Sequence, residues 1–143
     1  MFFEEFEVGQ EFRGTWSTVT EAHVVMFGSI TGDLSPGHMN EEFMRRGPYG
    51  GRIAHGMLTA SIAVASVYPT LSQHAANYLG CNFSFKDPVI LGDTVKTTLK
   101  VAELTPKSKW GIVRMKLTTT NQHGKTVLEG ETAMGMRYRP KGR

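Results

Sequence analysis

Cysteine is the scarcest of the informative residues. The 143-residue chain has one, Cys81, so no internal disulfide can form. A reducing compartment fits that usage, with Cys81 expected as a small buried hydrophobe. One cysteine and five scattered histidines also lack ligand spacing, so neither a metal nor another cofactor is expected. Long apolar runs are missing too. The longest, near Ile62 to Val67, is interrupted by Ser66 and is far too short to span a bilayer. The opening residues, Met1-Phe2-Phe3-Glu4-Glu5, are acidic where a secretory signal would be basic. The expectation is a cytoplasmic protein with no membrane contact. Length and 40% hydrophobic content suit one domain over residues 1–143, with a core that needs no staples.

Charge of one sign is not concentrated anywhere. The net charge is +3, and the basic residues are spread along the chain. A nucleic-acid binder would gather them on one face or run with aromatics between, so nucleic acid is not an expected partner. The densest group, Arg45, Arg46 and Arg52, lies beside glycines. A phosphate-bearing small molecule suits it better than a duplex, and a solvated loop suits each arginine best. A further absence bears on chemistry: between Glu42 and Asp87 there is no Asp or Glu.

Repeats and low-complexity stretches are also lacking, and the elements follow one another without a linker. Gln10 to Thr18 alternates loosely and reads as a first strand. Thr20 is a good N-cap for a helix over Glu21 to Ser29, which stops at Thr31-Gly32-Asp33. Asp33 to Arg52 is rich in Gly, Pro and charge, with a short helical piece near Glu41 to Arg45. Connections that long tend to be functional. Gly56 to Val67 is apolar or small throughout, which predicts a helix buried on every side, ended by Pro69. Strand-like runs follow at Asn77 to Phe85, Asp93 to Leu104, Trp110 to Thr120 and Thr126 to Tyr138, the last two joined by the turn Gln122-His123-Gly124. A buried helix followed by a meander of long antiparallel strands predicts an α+β architecture in which the sheet curls around the helix, the hot-dog arrangement. Such a sheet keeps an edge and leaves one side of its helix open, so a homodimer, or a larger assembly of dimers, is expected.

The run Thr31-Gly32-Asp33-Leu34-Ser35-Pro36-Gly37-His38 carries the first chemistry. On a continuous helix Asp33 and His38 would lie about 140° apart. Pro36 disfavours helix at Ser35 and Gly37 permits an unusual backbone angle, so carboxylate and imidazole can face one water. Alone, such a string more often only caps a turn. The second segment is Gly50-Gly51-Arg52-Ile53-Ala54-His55-Gly56-Met57, which leads into the apolar helix. Free N–H groups at that helix start can bind a thioester oxygen, and Gly56 has no side chain to obstruct it. Gly56 could equally be there only because the helix start packs tightly. His23, His74 and His123 read as solvated or loop residues, and His55 as one that orients the helix start.

The two segments together resemble those of the MaoC-like dehydratases, which include the (R)-specific enoyl-CoA hydratases. The similarity extends to Phe6-Glu7-Val8-Gly9, Phe85-Lys86-Asp87-Pro88-Val89 and Gly92-Asp93-Thr94. The resemblance implies a dimeric hot-dog enzyme acting on an acyl-CoA thioester without a metal. Asp33 and His38 would be its catalytic pair, the Gly56 amide its oxyanion donor, and Ile53 and Met57 substrate-binding neighbours. It implies syn addition of water to a trans-2-enoyl-CoA, giving an (R)-3-hydroxyacyl-CoA. The sequence departs from the family pattern at Ser35, where Asn is usual, and at Asn40, where Asp is usual. The shorter Ser35 is expected to hold the loop less firmly. Two other readings remain: a hot-dog thioesterase, disfavoured because the central helix carries no carboxylate, and a non-catalytic acyl-CoA-binding subunit.

Overall fold

The computed structural model describes residues 1–140. Its strands are β1 (Glu11–Arg13), β2 (Ser17–Thr18), β3 (Ala75–Phe85), β4 (Thr94–Pro106), β5 (Trp110–Thr120) and β6 (Thr126–Arg137). Its helices are α1 (Glu21–Thr31), α2 (Pro36–Met39), α3 (Glu41–Arg45) and α4 (Gly56–Leu71). The sheet is antiparallel in the order β1-β4-β5-β6-β3, with β2 also on β4. It curls around α4, as a hot-dog fold does.

Alternation makes the sheet. Along β5, Val113, Met115, Leu117 and Thr119 are buried while Arg114, Lys116 and Thr118 are exposed, the period-two signature of a strand with one covered face. The covered side chains join Leu99, Val101 and Met134 of the neighbouring strands and Leu58, Ala63, Val67 and Leu71 of α4 in one core. Each large side chain so buried contributes about 1.5–3 kcal/mol before ordering costs.

Several expectations need correction. The first strand is broken into β1 and β2 because Gly14 passes against α4, where a Cβ would stand 2.3 Å from Ser66 Oγ. Helix α4 runs through Pro69 to Leu71, closed by Ser72 N–H on the Tyr68 carbonyl. Proline in the last turn removes only a bond close to where the ladder ends anyway. Nor is α4 buried all round: Met57 is 55% exposed, and Ser61 and Ala65 are exposed with it. The strands do not form one simple meander, for β3 crosses to pair with β6 instead of β4. Cys81 is exposed, because β3 is an edge strand with β6 as its strand partner among the described residues. The 122–124 turn is as expected, with Gly124 at φ 76. Among the described residues, no helix is long and apolar enough to cross a membrane.

Candidate functional site

Helix α1 stops at Gly32, whose φ of 80 is the left-handed conformation that glycine adopts without strain, and whose N–H bonds the Gly28 carbonyl at 2.8 Å. That turn, not Gly37, supplies the unusual backbone angle. Gly37 lies within α2 and has no positive φ. Pro36 occupies the first helical position of α2, with Ser35 as N-cap and its carbonyl accepting the His38 and Met39 N–H groups. Asp33 therefore sits in the non-helical step between two helices, and the bend brings its Oδ2 to 3.8 Å from His38 Nε2. A single water can touch both atoms at that spacing.

The two side chains differ in environment. Asp33 is 50% exposed and His38 15%. Ser35 holds the Asp33 carboxyl below the usual carboxylate range, first through its hydroxyl and then through its backbone N–H, with smaller help from the His38 and His55 rings; desolvation opposes them. The N–H lies 3.3 Å from Asp33 Oδ1. Ser35 is thus a direct partner of the carboxylate. Asn40 caps α3 by accepting the Phe43 N–H at 2.9 Å.

His38 Nδ1 lies 2.8 Å from the Ile53 carbonyl. A carbonyl only accepts, so Nδ1 carries the proton and neutral His38 presents a bare lone pair at Nε2, toward Asp33. Ile53 is itself held by its N–H on the Gly37 carbonyl (3.1 Å) and by a bridge to Ile90. His55, the N-cap of α4, is 2% exposed. Its Nε2 donates to the Asp33 carbonyl at 2.9 Å, and its ring stacks on His38 with centroids 3.8 Å apart. Sequence reading assigned His55 only to the helix start. The one local signal was its place beside Gly56; the partner lies 22 positions away.

His38, Ile53 and Gly56 line one cavity of about 260 Å³ with Phe85, Val89 and Val127. A Cβ on Gly56 would stand 3.1 Å from the Phe85 ring, so the close packing expected of a tight helix start is present as well as the open amide end. Met57 is elsewhere: it lines a separate apolar groove of about 480 Å³ with Val64, Tyr68, Tyr78, Cys81 and Phe83. The arginine cluster does not converge on an open anion site. Arg52, 13% exposed, pairs with Glu21 (3.0 Å) and Glu41 (2.9 Å), and Arg45 pairs with Glu41 and Glu42, while Arg46 is exposed. Arg52 thereby ties α1 and α3 to the approach of α4. Of the other histidines, His23 accepts the Thr20 N–H at the start of α1, His74 stacks on Phe2, and His123 lies exposed in the last turn.

Asp33, His38 and His55 each offer one ligand atom within 4.8 Å of the others. Two features speak against a resident metal. The Nδ1 of His38 and the Nε2 of His55 are already committed to carbonyls, and His55 Nδ1 is sealed in the interior. The arrangement fits proton transfer: an ionised acid, an imidazole with a fixed tautomer, and a helix start whose first N–H groups have no intrahelical acceptor.

Comparison with known proteins finds relatives of the chain. The family model described as MaoC like domain matches residues 4–125. The chain is 35% identical over 133 residues to an (R)-specific enoyl-CoA hydratase of Rhodospirillum rubrum, covering 93% of this chain and 90% of that one. It is 37% identical over 132 residues to a 3-hydroxybutyryl-CoA dehydratase of Methylorubrum extorquens, covering 92% and 81%. The structure resembles that of an R-hydratase from Pseudomonas aeruginosa with a TM-score of 0.86 at 33% identity, covering 96% and 86%.

Proposed function

This chain belongs to the MaoC-like domain family, and from that membership we propose that it hydrates a trans-2-enoyl-CoA to the (R)-3-hydroxyacyl-CoA, or runs the reverse, with Asp33 and His38 as its acid–base pair. At the coarser level it is a carbon–oxygen lyase that adds water to, or removes it from, acyl-CoA thioesters, as the names of its relatives indicate. The observation that carries the finer reading is Asp33 Oδ2 standing 3.8 Å from His38 Nε2, with His38 Nδ1 fixed on the Ile53 carbonyl.

In the hydration direction a water rests between Asp33 Oδ2 and His38 Nε2. Its oxygen bonds to the β-carbon as the carbon–carbon π bond breaks. Asp33 accepts the water's proton with His38 assisting, and a proton from the same pair reaches the α-carbon. The two groups act as a coupled unit. Charge that builds on the thioester oxygen meets the N–H of Gly56, at the positive end of α4. Ile53 serves the pair by holding His38 in one tautomer, and Met57 borders the apolar groove beside the helix start. The names of two relatives as (R)-specific or R-hydratases support the stereochemistry.

The same reading takes a homodimer as the working unit, alone or within a larger assembly of dimers. Among the described residues the outer edge of β3 carries unpaired backbone groups, with Tyr78, Leu79 and Phe85 exposed on it, and the open face of α4 lies beside it. Sedimentation should give twice the chain mass, and a monomer at working concentration would remove this part.

A panel of enoyl-CoA esters tests the chemistry. Wild type should abolish enoyl absorbance without releasing thiol, and the product should be oxidised by an (R)-specific and not an (S)-specific dehydrogenase. Asp33→Asn should lose about 10²–10⁴ in kcat. Thiol release would make the protein a thioesterase, and an active Asp33→Asn would remove the acid from the mechanism. Acyl-CoA binding without turnover would make it a binding subunit.

A further inference from the structure

The site contains one polar atom that nothing so far explains. His55 Nδ1 is buried and has no hydrogen-bond partner among the described residues. Leaving a buried polar atom unmatched costs stability, and a phenylalanine would fill the same volume without that cost. Another requirement must favour imidazole here.

Three contacts suggest what it is. The Nε2–H of His55 is the donor to the backbone carbonyl of Asp33, whose side chain is the proposed base. The face of the ring stacks on His38 at 3.8 Å and 29°. Phe27 stands 5.0 Å from His55, tilted by 51°, which helps to keep the ring from turning. One residue thus touches both members of the pair from the interior side, 22 positions from Asp33 and 17 from His38 in the chain.

The unmatched Nδ1 follows from the same arrangement. Nε2 must carry the proton, because a carbonyl cannot donate, and so neutral His55 leaves Nδ1 bare. The Nε2–H donor thereby fixes the Asp33 backbone, while Nδ1 is left without a bond as the consequence of that tautomer.

We propose that His55 is a positioning residue for the Asp33–His38 pair: an imidazole that anchors the Asp33 backbone through Nε2–H and backs the His38 ring with its face. The proposal rests on the reading of that pair as the acid–base machinery. The test uses the intact protein with His55→Phe, which keeps a ring and removes the donor, and His55→Gln, whose amide N–H reaches the position of Nε2. Steady-state hydration of a short enoyl-CoA should fall about 10²-fold in kcat for His55→Phe, with KM little changed and the acid limb of the pH profile displaced. His55→Gln should recover a large part of that loss. Thermal unfolding of the same samples separates this from a packing defect, since a merely structural residue would lower Tm and leave the pH profile of the folded fraction unmoved.

His55→Phe with a wild-type kcat and pH profile would overturn the proposal, and so would a loss of kcat that His55→Gln does not recover. Nitrogen-15 spectra supply a readout independent of turnover: His55 should carry its hydrogen-bonded proton on Nε2 and leave Nδ1 without a bond, and the opposite tautomer would overturn the proposal as well. Asp33→Asn distinguishes the two levels. If it is fully active, the pair itself is wrong; if it is inactive while His55→Phe is normal, the error lies with His55 alone.

Discussion

Along β4 and β5 the chain is regular: Val95 to Val101 and Val113 to Leu117 bury alternate side chains in the core, and each strand is bonded on both sides. Between Gly32 and His55 it is the reverse. The helices there are a single turn long, Gly32 to Pro36 is exposed throughout, and the proposed chemistry sits on side chains held by a few specific hydrogen bonds. The sheet keeps the molecule folded, and the loop uses that rigidity to aim a carboxylate and an imidazole. Loops positioned on a stable scaffold carry function for this reason: they can take the geometry chemistry needs without being required to fill the core.

If that division is right, variants in the two regions should fail differently. The largest effect is expected for His38→Gln, a fall in kcat of about 10²–10⁴ with a loss of only about 1 kcal/mol in chemical denaturation, the worth of its bond to Ile53. Leu117→Ala should do the opposite, costing about 2–5 kcal/mol of stability while the folded fraction turns over normally. A large drop in kcat per folded molecule would break the comparison. Thr97→Val is a smaller version on the sheet side. It leaves the buried hydroxyl of Thr119 without its partner at 2.9 Å, for about 1–3 kcal/mol, and adding Thr119→Val should restore most of that loss.

The smallest and sharpest change is expected from Ser35→Ala. The Asp33 carboxyl is lowered chiefly by the Ser35 hydroxyl, so it stays ionised to more acidic pH than an ordinary aspartate. Activity that needs the carboxylate is then complete above the usual carboxylate range and is lost as pH falls through the lowered value. Removing the hydroxyl should move that acid limb to higher pH in a kcat/KM profile, with the plateau little altered. An unmoved limb would show that Ser35 does not tune the acid.

Much of this was readable in one dimension. Pro36 and the stop at Gly32 marked the bend that brings Asp33 toward His38, and period-two alternation located β5 to the residue. Those signals are local: a proline restricts its own φ and its neighbour, and a strand's alternation is a property of a few consecutive residues. What failed was not local. Pro69 looked like a stop until the surrounding helix carried it, Cys81 looked buried until β3 went to the edge, and Arg52 looked free until Glu21 and Glu41 closed on it.

The amino-acid sequence by itself decided the order and approximate extent of the main helices and strands, which residues of the loop can bend, and which acid and which imidazole stand close enough along the chain to meet. Only the folded structure decided which proton His38 carries, what lies beneath the pair, and why the carboxyl of Asp33 is held ionised. Backbone preference acts over a handful of neighbouring positions, whereas a hydrogen bond from His55 to Asp33 exists only once packing has carried two distant stretches of chain to within 3 Å.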